Sequence, residues 1–230
     1  MRRLLPEPAE DVDPYHEYAD APGVRIGMVM SLDGSVTDAE GWSDGLGGEA
    51  DFRVFRTLRA LADAIVVGAA TVRTGRLGPA RLRTSLRERR GGPPAPIVVV
   101  SRSLDLDWTL PLFTEAETPT LVVTSRSAPL ESAPVPLIAV GDDEVDLPAA
   151  VRALADMGLT RLLCEGGPAL ATAFVRAGAA DELCLNIAPT LMGAAHRTPL
   201  VGVLDGPCDA RLTALYEDEG VLFARYSLRR

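Results

Sequence analysis

Short, continuous apolar runs recur along the chain at residues 24–30, 64–68, 97–100, 120–123, 137–140, 161–164 and 182–187. Because these runs are unbroken rather than alternating, they predict strands covered on both faces, as in a parallel sheet. Helical patterns fall between them. Over 49–61, Val54, Phe55, Leu58 and Leu61 share one stripe, with Glu49 and Asp51 in the first turn, where the helix dipole favours acids. Shorter helices are predicted over 147–157, ending at Gly158, and over 169–177, ending at Gly178. The tail changes character: apolar stretches at 211–216 and 221–228 flank Glu217-Asp218-Glu219-Gly220, a hairpin signal. The fold class that follows is α/β, with a mostly parallel central sheet flanked by helices and a C-terminal antiparallel hairpin. Residues 1–22, rich in Pro, Asp, Glu and Tyr, read as an N-terminal arm or irregular lead-in to a single domain over 23–230.

The chemistry concentrates where predicted strands end. Residues 160–164 end on Glu165, and Gly166-Gly167-Pro168-Ala169-Leu170 then turns into a helix with proline in its first turn. Backbone N–H groups at such a helix start stabilise an anion, and glycine lets the chain approach a ligand closely. The same segment also fits a plain strand-to-helix turn, with Glu165 as a structural acid fixing it. Ser31-Leu32-Asp33-Gly34, Gly68-Ala69-Ala70-Thr71-Val72 and Ser101-Arg102-Ser103 follow three other strands. In a parallel sheet these ends gather on one edge, where a nucleotide-sized site forms. Asp33 has a simpler reading beside this one, as an Asp-Gly turn.

Composition narrows the chemistry. The chain has 230 residues, 47% of them hydrophobic, and its longest apolar runs fall short of the roughly 18 residues a membrane span needs. All 23 basic residues are arginine, so a lysine Schiff base and a phosphate-loop lysine are excluded. His16 and His196 are the sole imidazoles, which argues against a histidine-rich metal site. A net charge of −9 argues against nucleic acid as a partner. Cys164, Cys184 and Cys208 form no CxxC pair and point to a reduced, cytoplasmic protein. Seven arginines and one glutamate crowd residues 73–90, within a stretch (76–96) that reads as a long loop. That run is either a solvated loop or a phosphate-attracting one.

As an ordered set these motifs resemble the pyrimidine reductase family. The set is Ser31-Leu32-Asp33-Gly34, Ala62-Asp63-Ala64-Ile65-Val66-Val67-Gly68 with Thr71-Val72, and Glu165-Gly166-Gly167-Pro168. Asp181-Glu182-Leu183 and Ile187-Ala188-Pro189, leading to Gly193, complete it. The family includes the reductase domain of the riboflavin-biosynthesis deaminase–reductase and has a dihydrofolate-reductase-like fold. The likeness spans residues 24–228. No deaminase zinc signature occurs in the sequence, so the chain reads as a stand-alone form.

The resemblance implies NADPH-dependent reduction of a small molecule, most closely 5-amino-6-(5-phosphoribosylamino)uracil. It places Gly68, Thr71 and Val72 at the cofactor cleft, and Ser101 and Arg102 at the adenosine 2′-phosphate. Glu165, Gly166, Gly167, Pro168, Ala169 and Leu170 would lie along the pyrophosphate and nicotinamide. Asp33 and Glu165 are the catalytic candidates. Ser31, Ser43 and Arg59 are candidates for the substrate, with Arg59 also readable as a helix C-terminal cation. One departure stands out: where the family carries an aspartate four residues after the position of Thr71, this chain has Gly75-Arg76-Leu77-Gly78-Pro79. Arg81 and Arg83 then become phosphate candidates. A dihydrofolate-reductase-like activity, a deazaflavin donor and a non-catalytic nucleotide-binding protein are the alternatives. The run Leu183, Leu185, Ile187 is either core strand or a homodimer interface.

Overall fold

The computed structural model describes residues 1–19, 22–193 and 197–228. His196 lies outside the described residues. A ten-stranded sheet runs through the molecule. In chain order its strands are β1 (Arg2–Leu5), β2 (Gly23–Ser31), β3 (Ala64–Gly68), β4 (Ile97–Val100) and β5 (Leu121–Thr124). They continue with β6 (Leu137–Ala139), β7 (Arg161–Cys164), β8 (Glu182–Ala188), β9 (Arg211–Asp218) and β10 (Val221–Ser227). The spatial order is β1-β9-β10-β8-β2-β7-β3-β4-β5-β6. From β8 to β6 every pairing is parallel, whereas β10 joins β8, and β9 joins β10, antiparallel.

Strand β3 shows why the apolar runs are continuous. Ala64 and Val66 face one core with Val24, Ile26 and Phe174, while Ile65 and Val67 face another with Ile97, Val99 and Leu112. Each face is covered by helices, so a polar residue in either register would be buried without water. The first face carries α6 (Leu147–Asp156) and α7 (Pro168–Arg176). The other carries α2 (Gly48–Leu61), whose Val54, Leu58 and Leu61 pack with Leu163, Cys184 and Phe223. Asp146 starts α6 by accepting a hydrogen bond from the Ala149 N–H at 2.9 Å.

Three local expectations change. The lead-in is not irregular throughout: Arg2–Leu5 pairs with β9, and Pro14–Glu17 forms the short helix α1 with Tyr18 buried behind it. The stretch 76–96 contains a helix, α4 (Thr84–Arg90), closed by Gly91 in the left-handed region. Its arginines are structural ties. Arg87 pairs with Glu117, Arg89 with Asp13, and Arg90 donates to the carbonyls of Ala60 and Ala62. The tail hairpin turns on two residues rather than four. Glu219 and Gly220 both have positive φ (52° and 80°), the mirror-image turn that matches strand twist.

Candidate active site

The β7 exit is bolted to the β3 exit by backbone hydrogen bonds. The Glu165 N–H donates to Val66 O at 3.0 Å and the Gly68 N–H to Gly166 O at 2.9 Å. The Gly167 N–H donates to Thr71 Oγ1 at 3.1 Å, from α3 (Ala69–Arg73). Gly166 has φ +77° and Pro168 opens α7, so this turn needs both residue types where they stand. Gly68, Thr71, Gly166, Gly167 and Leu170 are thereby gathered in one place. A Cβ at Gly68 would sit 3.6 Å from Leu170 Cβ and one at Gly167 3.7 Å from Thr71 Oγ1. Both are ordinary contacts, so among these glycines it is Gly166, with its positive φ, that the backbone requires.

Beside this turn lies a cavity of about 350 Å³. Its walls come from β2, α2, the loop after β2, the segment after α3, and the β7 exit. On α2, Asp51, Phe55 and Arg59 are spaced four residues apart and lie on one face, towards the cavity. Arg59 Nε and Nη2 donate to Glu165 Oε1 and Oε2, each at 2.6 Å, and the guanidinium packs 4.5 Å from the Phe55 ring centroid. Both partners are largely buried. At the other end of the α2 stripe, Asn186 of β8 donates through Nδ2 to Asp51 Oδ1 at 2.6 Å. Burial pushes the Asp51 carboxyl above its ordinary value, against the opposing pull of that bond. At the mouth, the Arg76 guanidinium stacks 3.9 Å from the Trp42 ring centroid and lies 3.8 Å from Asp44. Ser43 also lines this mouth.

The remaining sequence candidates fall elsewhere. Ser31 is fully buried and donates to Asp33 Oδ1 at 2.6 Å. The Asp33 oxygens also accept the Met192 N–H at 3.1 Å and the Gly193 N–H at 2.7 Å. These bonds, Ser31 first, lower the Asp33 pKa to about 2. Asp33 therefore pins the loop after β2 to the loop after β8 and is not on the cavity wall. Val72 and Leu170 are core residues, and Ala169 is exposed on α7. Arg81 lies 3.9 Å from Glu115 and Arg83 precedes α4; neither lines the cavity. Ser101 is buried, its Oγ accepting the Leu104 N–H at 3.2 Å. Arg102, exposed at the carboxyl end of β4, pairs with Glu144 at 2.5 Å, and Arg126 beyond β5 pairs with Asp142 at 3.0 Å. Arg102 and Arg126 thus follow neighbouring strands on the edge where ligands bind in open α/β sheets. Strand β8 is interior, with β2 and β10 on its two sides, and Leu183 packs on the core.

A larger cavity, about 600 Å³, lies at the amino ends of the parallel strands. Within it Arg3 is paired with Glu17 at 3.1 Å, and both Arg25 and Arg225 with Glu182. The smaller cavity, at the carboxyl end, is the one with the chemistry. Among the described residues no His, Cys, Asp or Glu cluster is arranged to hold a metal. Cys164 and Cys184 are buried, and burial pushes the Cys164 thiol up to about 12. No helix of the described residues is long and apolar enough to cross a membrane.

A protein-family model described as the RibD C-terminal domain matches residues 22–216. The chain belongs to this family. A 2,5-diamino-6-ribosylamino-4(3H)-pyrimidinone 5′-phosphate reductase of Methanothermobacter thermautotrophicus is 33% identical over 187 residues, covering 78% of this chain and 83% of that protein. The protein of the same name from Aquifex aeolicus is 30% identical over 194 residues, covering 80% and 84%. Among solved structures, a pyrimidine reductase-like protein from Corynebacterium diphtheriae aligns with a TM-score of 0.78 at 29% identity. That alignment covers 91% of this chain and 92% of the other.

Sequence reasoning missed Trp42, Asp51, Phe55, Arg76 and Asn186. Asp51 was legible only as a first-turn helix acid. Asn186, in a strand whose other residues from Leu183 to Ala188 are apolar, was the one available signal of a buried polar contact.

Proposed function

We propose that this chain is an NADPH-dependent reductase of a ribosylamino-pyrimidine 5′-phosphate in riboflavin biosynthesis. One observation carries the reading: a cavity of about 350 Å³ abuts the glycine turn at the carboxyl edge of the sheet, with the Arg59–Glu165 pair at the junction. When bound, the nicotinamide supplies a hydride. The chain's own residues fit such a cofactor. Gly68, Gly166 and Gly167 provide close backbone approach, and α7 points its N-terminus at the turn. Arg102 and Arg126 provide cations for a 2′-phosphate.

On the substrate side, Phe55 and Trp42 offer faces for a flat ring, and Arg76 a cation at the mouth for the 5′-phosphate. The acceptor is the sugar C1 in its ring-opened imine form. The carbon would take the hydride and the nitrogen a proton from solvent, leaving a ribitylamino N–H. Arg59 and Glu165 hold each other rigid where the cavity meets the glycine turn, so their part is to position the substrate. The relatives at 30–33% identity are named for the 2,5-diamino-pyrimidinone rather than for the uracil. A cytoplasmic homodimer is part of the proposal; β8, flanked by β2 and β10, has no free edge through which a partner strand could pair.

The test is consumption of reduced nicotinamide on mixing with the ribosylamino-pyrimidinone phosphate, run in parallel with dihydrofolate. Turnover with the former and NADPH supports the proposal. Turnover only with dihydrofolate, or tight NADPH binding with no turnover on either, refutes it.

A further inference from the structure

Asp51 and Asn186 stand together on the cavity wall, 9% and 5% exposed. Their mutual hydrogen bond uses Asp51 Oδ1 and Asn186 Nδ2. Asn186 Oδ1 is buried with no hydrogen-bond partner among the described residues. On Asp51 no hydrogen bond other than that from Asn186 is found among the described residues, which leaves Oδ2 open. A buried polar atom left unpaired costs as much as a lost hydrogen bond, so such atoms are rare in folded proteins and require an account. The backbone is also cut to fit Asp51. A Cβ at Gly47, the residue before α2, would fall 2.2 Å from Asp51 Cβ and 2.5 Å from its Cγ.

Two unpaired acceptors carried by one hydrogen-bonded pair match a partner that offers two adjacent donors. A 2-amino-4-oxopyrimidine has such an edge, its ring N–H lying beside an exocyclic NH2. A 2,4-dioxopyrimidine has no such edge at N3, whose N–H is flanked by two carbonyls, one of which would face an acceptor; at its N1 edge the neighbouring 6-amino nitrogen carries the ribosyl chain. An acceptor held against an acceptor is repulsive, and a buried site discriminates most strongly when a mismatch leaves its polar groups unpaired. The pair also suits the ring rather than the phosphate, because a carboxyl repels an anion while Arg76 waits at the mouth. We propose that Asp51 and Asn186 form the subsite that reads the two-donor edge of the pyrimidine and so selects a 2-amino-4-oxopyrimidine over a uracil. This rests on the reductase reading for its substrate, but recognition of the ring is separable from reduction.

The experiment is calorimetric titration of the wild-type chain, Asp51→Asn and Asn186→Leu with two free bases, 2-amino-4(3H)-pyrimidinone and uracil, which differ only in the 2-substituent and its tautomer. Melting temperatures and NADPH affinities are recorded alongside. Asp51→Asn preserves the volume and keeps the test valid where Asn186→Leu fails to fold. The wild type is expected to prefer the 2-amino base by about tenfold or more, and Asp51→Asn to lose that preference with NADPH affinity unchanged. Equal binding of the two bases by the wild type, no binding of either, or an undiminished preference in Asp51→Asn would overturn the proposal. If the preference depends on Asp51 but no pyrimidine phosphate is reduced, the subsite stands and the reductase reading falls.

Discussion

Arg59 and Glu165, on different elements, meet in a fork-to-fork ion pair with both hydrogen bonds at 2.6 Å, at the seam between cavity and glycine turn. Two charges so far from water are held by each other, and each is a liability alone. Glu165→Ala or Arg59→Ala should each lower unfolding stability by about 3–5 kcal/mol, because each leaves one buried charge unpaired. The double variant Arg59→Met/Glu165→Leu should recover much of that loss and remain inactive. Urea unfolding of the three chains, with turnover measured on the folded ones, checks both halves. A double variant as unstable as the sum of the singles would show that the two residues act independently.

Asp33 is an anchor and titrates as one. Its folded pKa, about 2, lies below the ordinary 3.8, so its stabilising bonds are intact above pH 3.8 and are lost as pH falls towards 2. Activity near neutrality should therefore show no inflection from Asp33. The amide resonances of Met192 and Gly193 should move together below pH 3.8. Asp33→Asn should loosen the 190–193 segment, read as faster amide exchange there with the rest of the sheet unchanged.

Arg102 pairs with Glu144 on an exposed surface, where such a bond is worth only about 0–1 kcal/mol and gives way readily to a dianion. Arg102→Ala should weaken NADPH by about tenfold or more while leaving NADH and the melting temperature unchanged. Equal losses for the two nucleotides would remove Arg102 from the 2′-phosphate.

Asp51 is costly to keep. Burial raises its pKa, so the folded state disfavours the carboxylate and a penalty sets in as pH rises past 3.8. Asp51→Asn should raise the melting temperature at neutral pH and leave it unchanged in acid. A lower melting temperature at neutral pH would mean that the carboxylate supports the fold.

The parallel sheet was legible because double-sided burial writes itself into unbroken apolar runs; β3, β4 and β7 fall on the residues those runs predict. The glycine turn was legible for a similar reason, since few other residues suit its backbone. The Asp51–Asn186 pair was not, because its members are 135 residues apart and each has an ordinary local explanation. The arginine run was ambiguous for the same reason. Its partners Asp13, Asp105, Glu115 and Glu117 are scattered along the chain and neutralise it only after folding. Only Arg76 of that run reaches the cavity, stacked on a tryptophan that no periodicity marks.

Transfer of deuterium from NADPH deuterated at nicotinamide C4 to the ribosylamino-pyrimidinone phosphate tests the central claim most directly. The account predicts a ribitylamino product carrying one deuterium at the former sugar C1, read by mass spectrometry and NMR. Deuterium on the pyrimidine ring, or none in any product, would contradict it.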